Sequence, residues 1–148
     1  MKKITLPDDT LTGITKVDEQ HKELVDRVNA LVVMGGRVFT RNEMEKTLDW
    51  LGEYVVQHFR DEEQLQIECN FPNHKSHKEK HEDFVEVFKK FKREFYIRGI
   101  SQEFTTKLTQ TVIDWVVEHI NDADAELGKY YREYKNNDKQ KFTIIQMV

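Results

Sequence analysis

The sequence is short of the residues that break helices and of those that cross-link chains. Two prolines and six glycines occur in 148 residues. A fold of hairpins and tight turns needs more of both, so their scarcity favours long helices. Cys69 is the only cysteine, which excludes an intrachain disulfide and a thiolate metal site. No apolar run approaches the roughly 20 residues of a membrane span. Pro7, Asp8 and Asp9 arrive before the apolar core of a signal peptide could form. A soluble chain in a reducing cytoplasm, with no membrane partner, is the expectation. Charge of one sign is also scarce, the formal net value being -4. Glutamates interleave the lysine clusters (Lys75, Lys78, Lys80 and Lys89, Lys90, Lys92), as on a solvated helix face. Nucleic acid is therefore not expected as a partner.

Hydrophobic residues make up 38% of the chain and charged residues 34%. That supports one core with a heavily solvated exterior, so residues 1–148 are read as a single domain. Helical periodicity recurs four times. The first stripe carries His21, Leu24, Val25, Val28, Leu31 and Val32, and Gly35-Gly36 ends it. Thr40 followed by Glu43 is a capping box that opens the second helix. Leu48, Leu51, Val55, Phe59 and Glu62 share its face until Pro72 forbids continuation. Asn73 can cap a third helix, with His77, His81, Phe84, Phe88, Phe91 and Phe95 as its stripe. After Gly99 and Ser101, a fourth stripe runs through Phe104, Leu108, Val112, Trp115, Val116 and His119.

Short links between four amphipathic helices predict an all-α, up-down-up-down four-helix bundle over about 15–134, preceded by an irregular N-terminal arm. Residues from about 135 onward read as a tail, polar and frayed over Asn136 to Lys141. Its end, Phe142 to Val148, is apolar enough to dock back on the bundle. A monomer is the default, since no wide apolar surface is evident beyond the core.

Five of the six histidines fall on the apolar stripes. Buried together they would need many polar partners, and would repel one another if protonated. A metal removes that difficulty by taking their lone pairs. His58 and Glu62 are four residues apart, as are His77 and His81, so each pair projects from one helix face. His21 comes from the first helix and His119 from the fourth. Asp124 adds a second carboxylate, at an awkward spacing of five from His119 that calls for a local widening of the helix or a long reach.

Five imidazoles and two carboxylates overfill one zinc ion, and calcium and magnesium prefer oxygen. Iron accepts mixed nitrogen and oxygen at higher coordination number. If both carboxylates and a solvent-derived oxygen bridge two irons, one iron takes three histidines and is full. The other takes two and keeps an open position where dioxygen can bind.

The segments Val17-Asp18-Glu19-Gln20-His21, His58 through Glu63, His77 to His81, and His119 through Asp124 resemble the motifs of the hemerythrin family. The resemblance covers roughly residues 6 to 131 and is nearest to the single-domain bacterial members. It implies that His77, His81 and His119 hold the coordinatively full iron and that His21 and His58 hold the iron that takes oxygen. Glu62 and Asp124 would bridge both ions together with an oxo or hydroxo group. It further implies reversible oxygen binding, for storage, delivery or sensing, without turnover of a substrate. The weighed alternative is a di-iron redox enzyme of the oxidase, peroxidase or ferroxidase type. Against it, no histidine here has a glutamate three positions before it, as the ferritin-like carboxylate enzymes do. His74 falls outside the ligand set and is expected to face solvent. Trp50 and Trp115 are read as packing residues, and Cys69 as an inert small hydrophobe.

Overall fold

The computed structural model describes residues 2–35 and 40–147. After an arm with one 3-10 turn, Asp8–Thr10, among its described residues, the chain forms α1 (Thr15–Met34), α2 (Arg41–Glu68), α3 (His74–Arg98) and α4 (Gln102–His119). A π-helical turn, Ile120–Asp124, joins α4 to α5 (Ala125–Met147). α4, the π turn and α5 follow one another without an intervening loop, so the molecule is built from four rods. α1 packs on α2 and α4, and α3 packs on the same two, which closes the bundle.

Local chemistry sets most of the helix ends. Thr40 accepts from the Glu43 amide at 3.1 Å, and the Glu43 carboxylate accepts from the Thr40 amide at 3.5 Å. That reciprocal pair is the expected capping box. Ser101 caps α4 by accepting from the Phe104 amide at 3.0 Å. Gly35 caps the C-terminus of α1, as expected.

Two ends differ from the sequence reading. α2 stops at Glu68, short of Pro72, because Asn70 adopts a left-handed conformation with φ 57. The Asn70 and Phe71 amides then donate back to Ile67 and Gln66 at 3.2 and 2.9 Å. This is the Schellman closure, which satisfies the last carbonyls of the helix. Asn73 stands at the start of α3, but its amide donates to Glu126 rather than capping the helix.

The tail is also different. Residues 136–140, expected to fray, continue α5 as exposed helix. Leu127 is fully buried and Tyr130, Tyr131 and Tyr134 pack with it. These contacts nucleate the helix, and no glycine or proline follows Gly128 to stop its growth. Docking of the Phe142 to Val148 side chains falls outside the described residues.

Two apolar cores lie along the bundle axis. The larger runs from Leu31, Met44, Phe95 and Phe104 to Phe59, Phe84, Val116 and Ile120. The smaller gathers Ile14, Val17, Cys69, Phe71 and Leu127. On every rod the residues between these cores are histidines and carboxylates: His21 follows Val17, Glu62 precedes Cys69, His77 follows Phe71, and Asp124 precedes Leu127. A polar layer is thus sealed between two hydrophobic plugs. The arm closes one flank, with Ile4 exchanging hydrogen bonds with the Asn29 amide at 2.7 and 2.8 Å. Thr12 donates to Asp18 from both its amide and hydroxyl at 2.8 Å.

Candidate metal centre

The seven singled-out side chains all project into the sealed layer. His21, His58, Glu62, His77, His81, His119 and Asp124 are each between 0 and 6% exposed. Helix geometry puts them there. One 3.6-residue turn separates His58 from Glu62 and His77 from His81. The π turn solves the spacing of five, because its hydrogen bonds span i→i+5 and so bring Asp124 back to the face of His119. The widening expected from sequence is therefore present at Ile120–Asp124.

These residues form two groups that share Glu62 and Asp124. In one, His77, His81 and His119 surround the shared carboxylates, and in the other His21 and His58 do so. His77 Nε2 lies 2.6 Å from Glu62 Oε1 and 3.1 Å from Asp124 Oδ1. His81 Nε2 is 3.4 Å from Glu62 Oε1, and His119 Nε2 is 3.2 Å from Asp124 Oδ1. Across the layer, His21 Nε2 is 2.9 Å from Asp124 Oδ2, and His58 Nε2 is 3.3 Å from Glu62 Oε2. Each carboxylate therefore turns one oxygen to the three-histidine side and the other to the two-histidine side.

The donor atoms face one another in a way that protein groups alone do not satisfy. His77 and His81 Nε2 stand 3.1 and 3.0 Å from His119 Nε2. A single proton cannot bridge three such nitrogens. His81 Nδ1 is 2.9 Å from Glu63 Oε2, and His58 Nδ1 is 2.8 Å from Gln20 Oε1. With both Nδ1 atoms donating, the Nε2 atoms of these neutral rings carry lone pairs. The His58 lone pair then points at a carboxylate oxygen of Glu62. Both oxygens of Glu62, both of Asp124 and Nε2 of His21 lack a hydrogen-bond partner. Buried acceptors of this kind are costly unless something cationic lies between them. The donor set thus fits metal ions, and its mixture of imidazole and carboxylate suits iron.

Electrostatics divides the histidines. Burial lowers His58 to about 4, with the neighbouring His21 adding to the effect against Glu62. Burial also lowers His81 to about 3, helped by His119 and His77. For His77, burial is overturned by Asp124 and Glu62, which push it up to about 9. His21 is raised in the same sense, chiefly by Asp124 against its own burial. Glu62 is raised by burial and by the Asp124 charge. Asp124, despite burial, is held well below the usual carboxylate range by the His119, His21 and His77 imidazoles beside it.

Aromatic rings fix two of the imidazoles. Phe59 stacks on His81 at 3.9 Å between centroids and 5° between planes. Trp115 stacks on His119 at 4.3 Å and 14°. Trp115 is thus packing against a site residue, whereas Trp50 is on the surface under the Arg27 guanidinium.

His74 lies outside both groups, as expected, but it is not free in solvent: its Nδ1 is 3.2 Å from Gln66 Oε1. Gln66 is fully buried one turn beyond Glu62, and its Nε2 has no partner. Sequence reasoning missed Gln20, Glu63 and Gln66. Glu63 and Gln20 adjoin site residues in sequence, but they reach histidines on other helices, which no spacing rule reveals. Gln66 could have been found from its i+4 spacing to Glu62.

Residues 12–131 match the family model described as the hemerythrin HHE cation binding domain. The chain is 32% identical over 117 residues to a bacteriohemerythrin of Methylococcus capsulatus, spanning 79% of this chain and 87% of that protein. It is 30% identical over 112 residues to a hemerythrin-like protein of Naegleria gruberi, spanning 76% and 80%. A crystal structure of wild-type hemerythrin superposes on it with a TM-score of 0.75 and 30% identity, covering 86% of this chain and 97% of that one.

Proposed function

The chain belongs to the hemerythrin family, and from that premise we propose that it binds dioxygen reversibly at a pair of non-haem iron ions. The single observation that carries this reading is the unequal division of histidines around two shared carboxylates. His77, His81 and His119 would hold one ion, His21 and His58 the other, and Glu62 and Asp124 would bridge them with an oxo or hydroxo group. A pair of irons held there would supply the two electrons that reversible dioxygen binding requires.

The chain's own residues supply the rest. Three imidazoles on one side and two on the other leave room for a small ligand on the His21/His58 side only. Neutral imidazoles outnumber carboxylates, so the ligand set gives less charge to the metals than an all-carboxylate site and disfavours strongly oxidising chemistry. Nδ1 contacts from Gln20 and Glu63 hold His58 and His81 with Nε2 turned inward. The two apolar plugs shield the polar layer from bulk water and the protons and anions it carries.

The test is metal analysis with visible spectra of anaerobically reduced protein before and after oxygen. Two irons per chain, and a charge-transfer band that comes with oxygen and goes on its removal, are expected. Two irons that pass straight to a stable ferric form would move the assignment to a redox enzyme or sensor. Protein made with iron available but containing none would refute it.

A further inference from the structure

One histidine of the two-histidine side is held from outside by a chain of amides that ends on a surface carboxylate. Gln20 is the residue before His21 on α1, and the helix turns it sideways into the seam with α2. There its Oε1 is 2.8 Å from His58 Nδ1, and its Nε2 donates to Asp61 Oδ2 at 2.7 Å. The other oxygen of Asp61 accepts from Gln57 Nε2 at 2.9 Å, and Lys16 Nζ lies 3.6 Å from Oδ2. One short segment of α1 thereby serves both histidines of this side, His21 directly and His58 through Gln20.

We propose that Gln20 is the positioning residue for His58, and that Asp61 decides which end of the Gln20 amide faces the imidazole. An ionised carboxylate only accepts hydrogen bonds. The Gln20 and Gln57 amides both donate to Asp61, and the Lys16 ammonium lies beside it. Turning the Gln20 amide over would press its carbonyl oxygen against that carboxylate. So the NH2 end stays on Asp61, the carbonyl stays on His58, and the His58 proton stays on Nδ1. Nε2 is then bare and faces Glu62 Oε2 at 3.3 Å. The three-histidine side is oriented differently: His81 Nδ1 meets the Glu63 carboxylate with no amide between. A neutral amide withdraws less of the proton than a carboxylate does, so His58 is the weaker donor of the two. The inference rests on the proposed function, because it assigns His58 to the metal of the two-histidine side.

The decisive variants are Gln20→Leu, which removes the acceptor, and Asp61→Asn, which touches no histidine. Asp61→Asn removes the acceptor-only lock on the Gln20 amide, and an asparagine there that turns its NH2 toward Gln20 draws the Gln20 carbonyl away from His58. Gln20 would then present N–H to His58 and force its proton to Nε2, where it blocks a metal. In the double variant Gln20→Glu with Asp61→Asn, donor and carboxylate change places and an acceptor faces His58 again.

Two readouts apply. Ring nitrogen NMR of the metal-free protein reports which nitrogen of His58 carries the proton. Iron per chain across a graded chelator series reports how tightly each ion is held. In wild type the proton is expected on Nδ1. In each single variant one iron should leave at a chelator concentration about 10- to 100-fold lower, the other leaving as in wild type. The double variant should restore both. If Gln20→Leu fails to fold, Asp61→Asn carries the test, since the Asp61 side chain is 21% exposed. Release of both irons together, release of neither, or a wild-type proton on Nε2 would overturn the inference. Wild type that takes up no iron defeats the proposed function itself, and is seen before any variant is made.

Discussion

Phe59 joins the larger core to the metal layer, and replacing it by alanine separates packing from ligand orientation. Its ring is 3% exposed, stacks on His81 at 3.9 Å, and meets Phe84 and Trp115 at centroid distances of 6.0 and 5.5 Å. Phe59→Ala removes a buried ring from between side chains that are themselves stacked and cannot collapse far. Truncations of this kind cost about 3–5 kcal/mol. With an unfolding entropy of about 2 cal/mol/K per residue, a chain of this length loses roughly 3 °C for each kcal/mol. The metal-free protein should therefore melt about 10–16 °C lower, measured by far-UV circular dichroism. Metal-free protein is the right material, because bound ions would add their own linkage to the transition. In the iron-loaded variant, His81 loses the ring that fixes its plane, so the three-histidine ion should be the first to leave in chelator. A melting shift below about 3 °C would refute the packing argument, and first loss of the two-histidine ion would refute the orientation argument.

Stability of the chelator-stripped protein should peak near pH 6.5. His77, raised to about 9, and His21, also raised, contribute stability that is full below pH 6.5 and lost as pH climbs through their folded values. His58 and His81, lowered to about 4 and about 3, contribute stability present above pH 6.5 and lost as pH falls towards those values. Glu62, raised by burial, opposes the acid limb without removing it. A melting temperature that rises steadily from pH 5 to 9 would contradict this. Glu62→Ala should lose both irons, because both proposed metal groups use it, whereas His74→Ala should leave the iron stoichiometry unchanged. Metal analysis decides, and loss of an iron in His74→Ala would place His74 among the ligands of α3. Gly128→Ala would bring a Cβ to 2.8 Å from Thr12 Cα and 2.9 Å from Thr12 O. Neither is a flexible side-chain end, so the arm must shift, at a cost of about 1–3 kcal/mol. Faster hydrogen exchange at the Thr12 and Gly13 amides, which donate to Asp18, would report it.

The sequence by itself determined the features that depend on spacing along one helix. Inward histidines at intervals of four, the capping box at Thr40, and the awkward spacing of five from His119 to Asp124 were all readable there. Helical geometry is fixed by the backbone, so such intervals convert directly into faces. Even the π turn was foreshadowed, since the spacing of five called for a local widening of the helix or a long carboxylate reach. The length of α2 and the order of the tail depart from the local sequence signals for a common reason. Pro72 and the polar run from Asn136 are strong local signals, but the left-handed turn at Asn70 acts earlier, and the packing of Leu127 and Tyr130 nucleates helix beyond it.

Tertiary structure alone decided what meets across helices. Which carboxylate oxygen faces which histidine, how Trp115 and Phe59 cover two of the imidazoles, and how Gln20 reaches His58 all depend on the rotation and axial shift of neighbouring rods. Those are set by the packing of the two apolar plugs above and below the polar layer. Periodicity names the face on which a side chain lies; only the closed bundle supplies the partner, and the partner fixes the tautomer that lets an imidazole hold a metal.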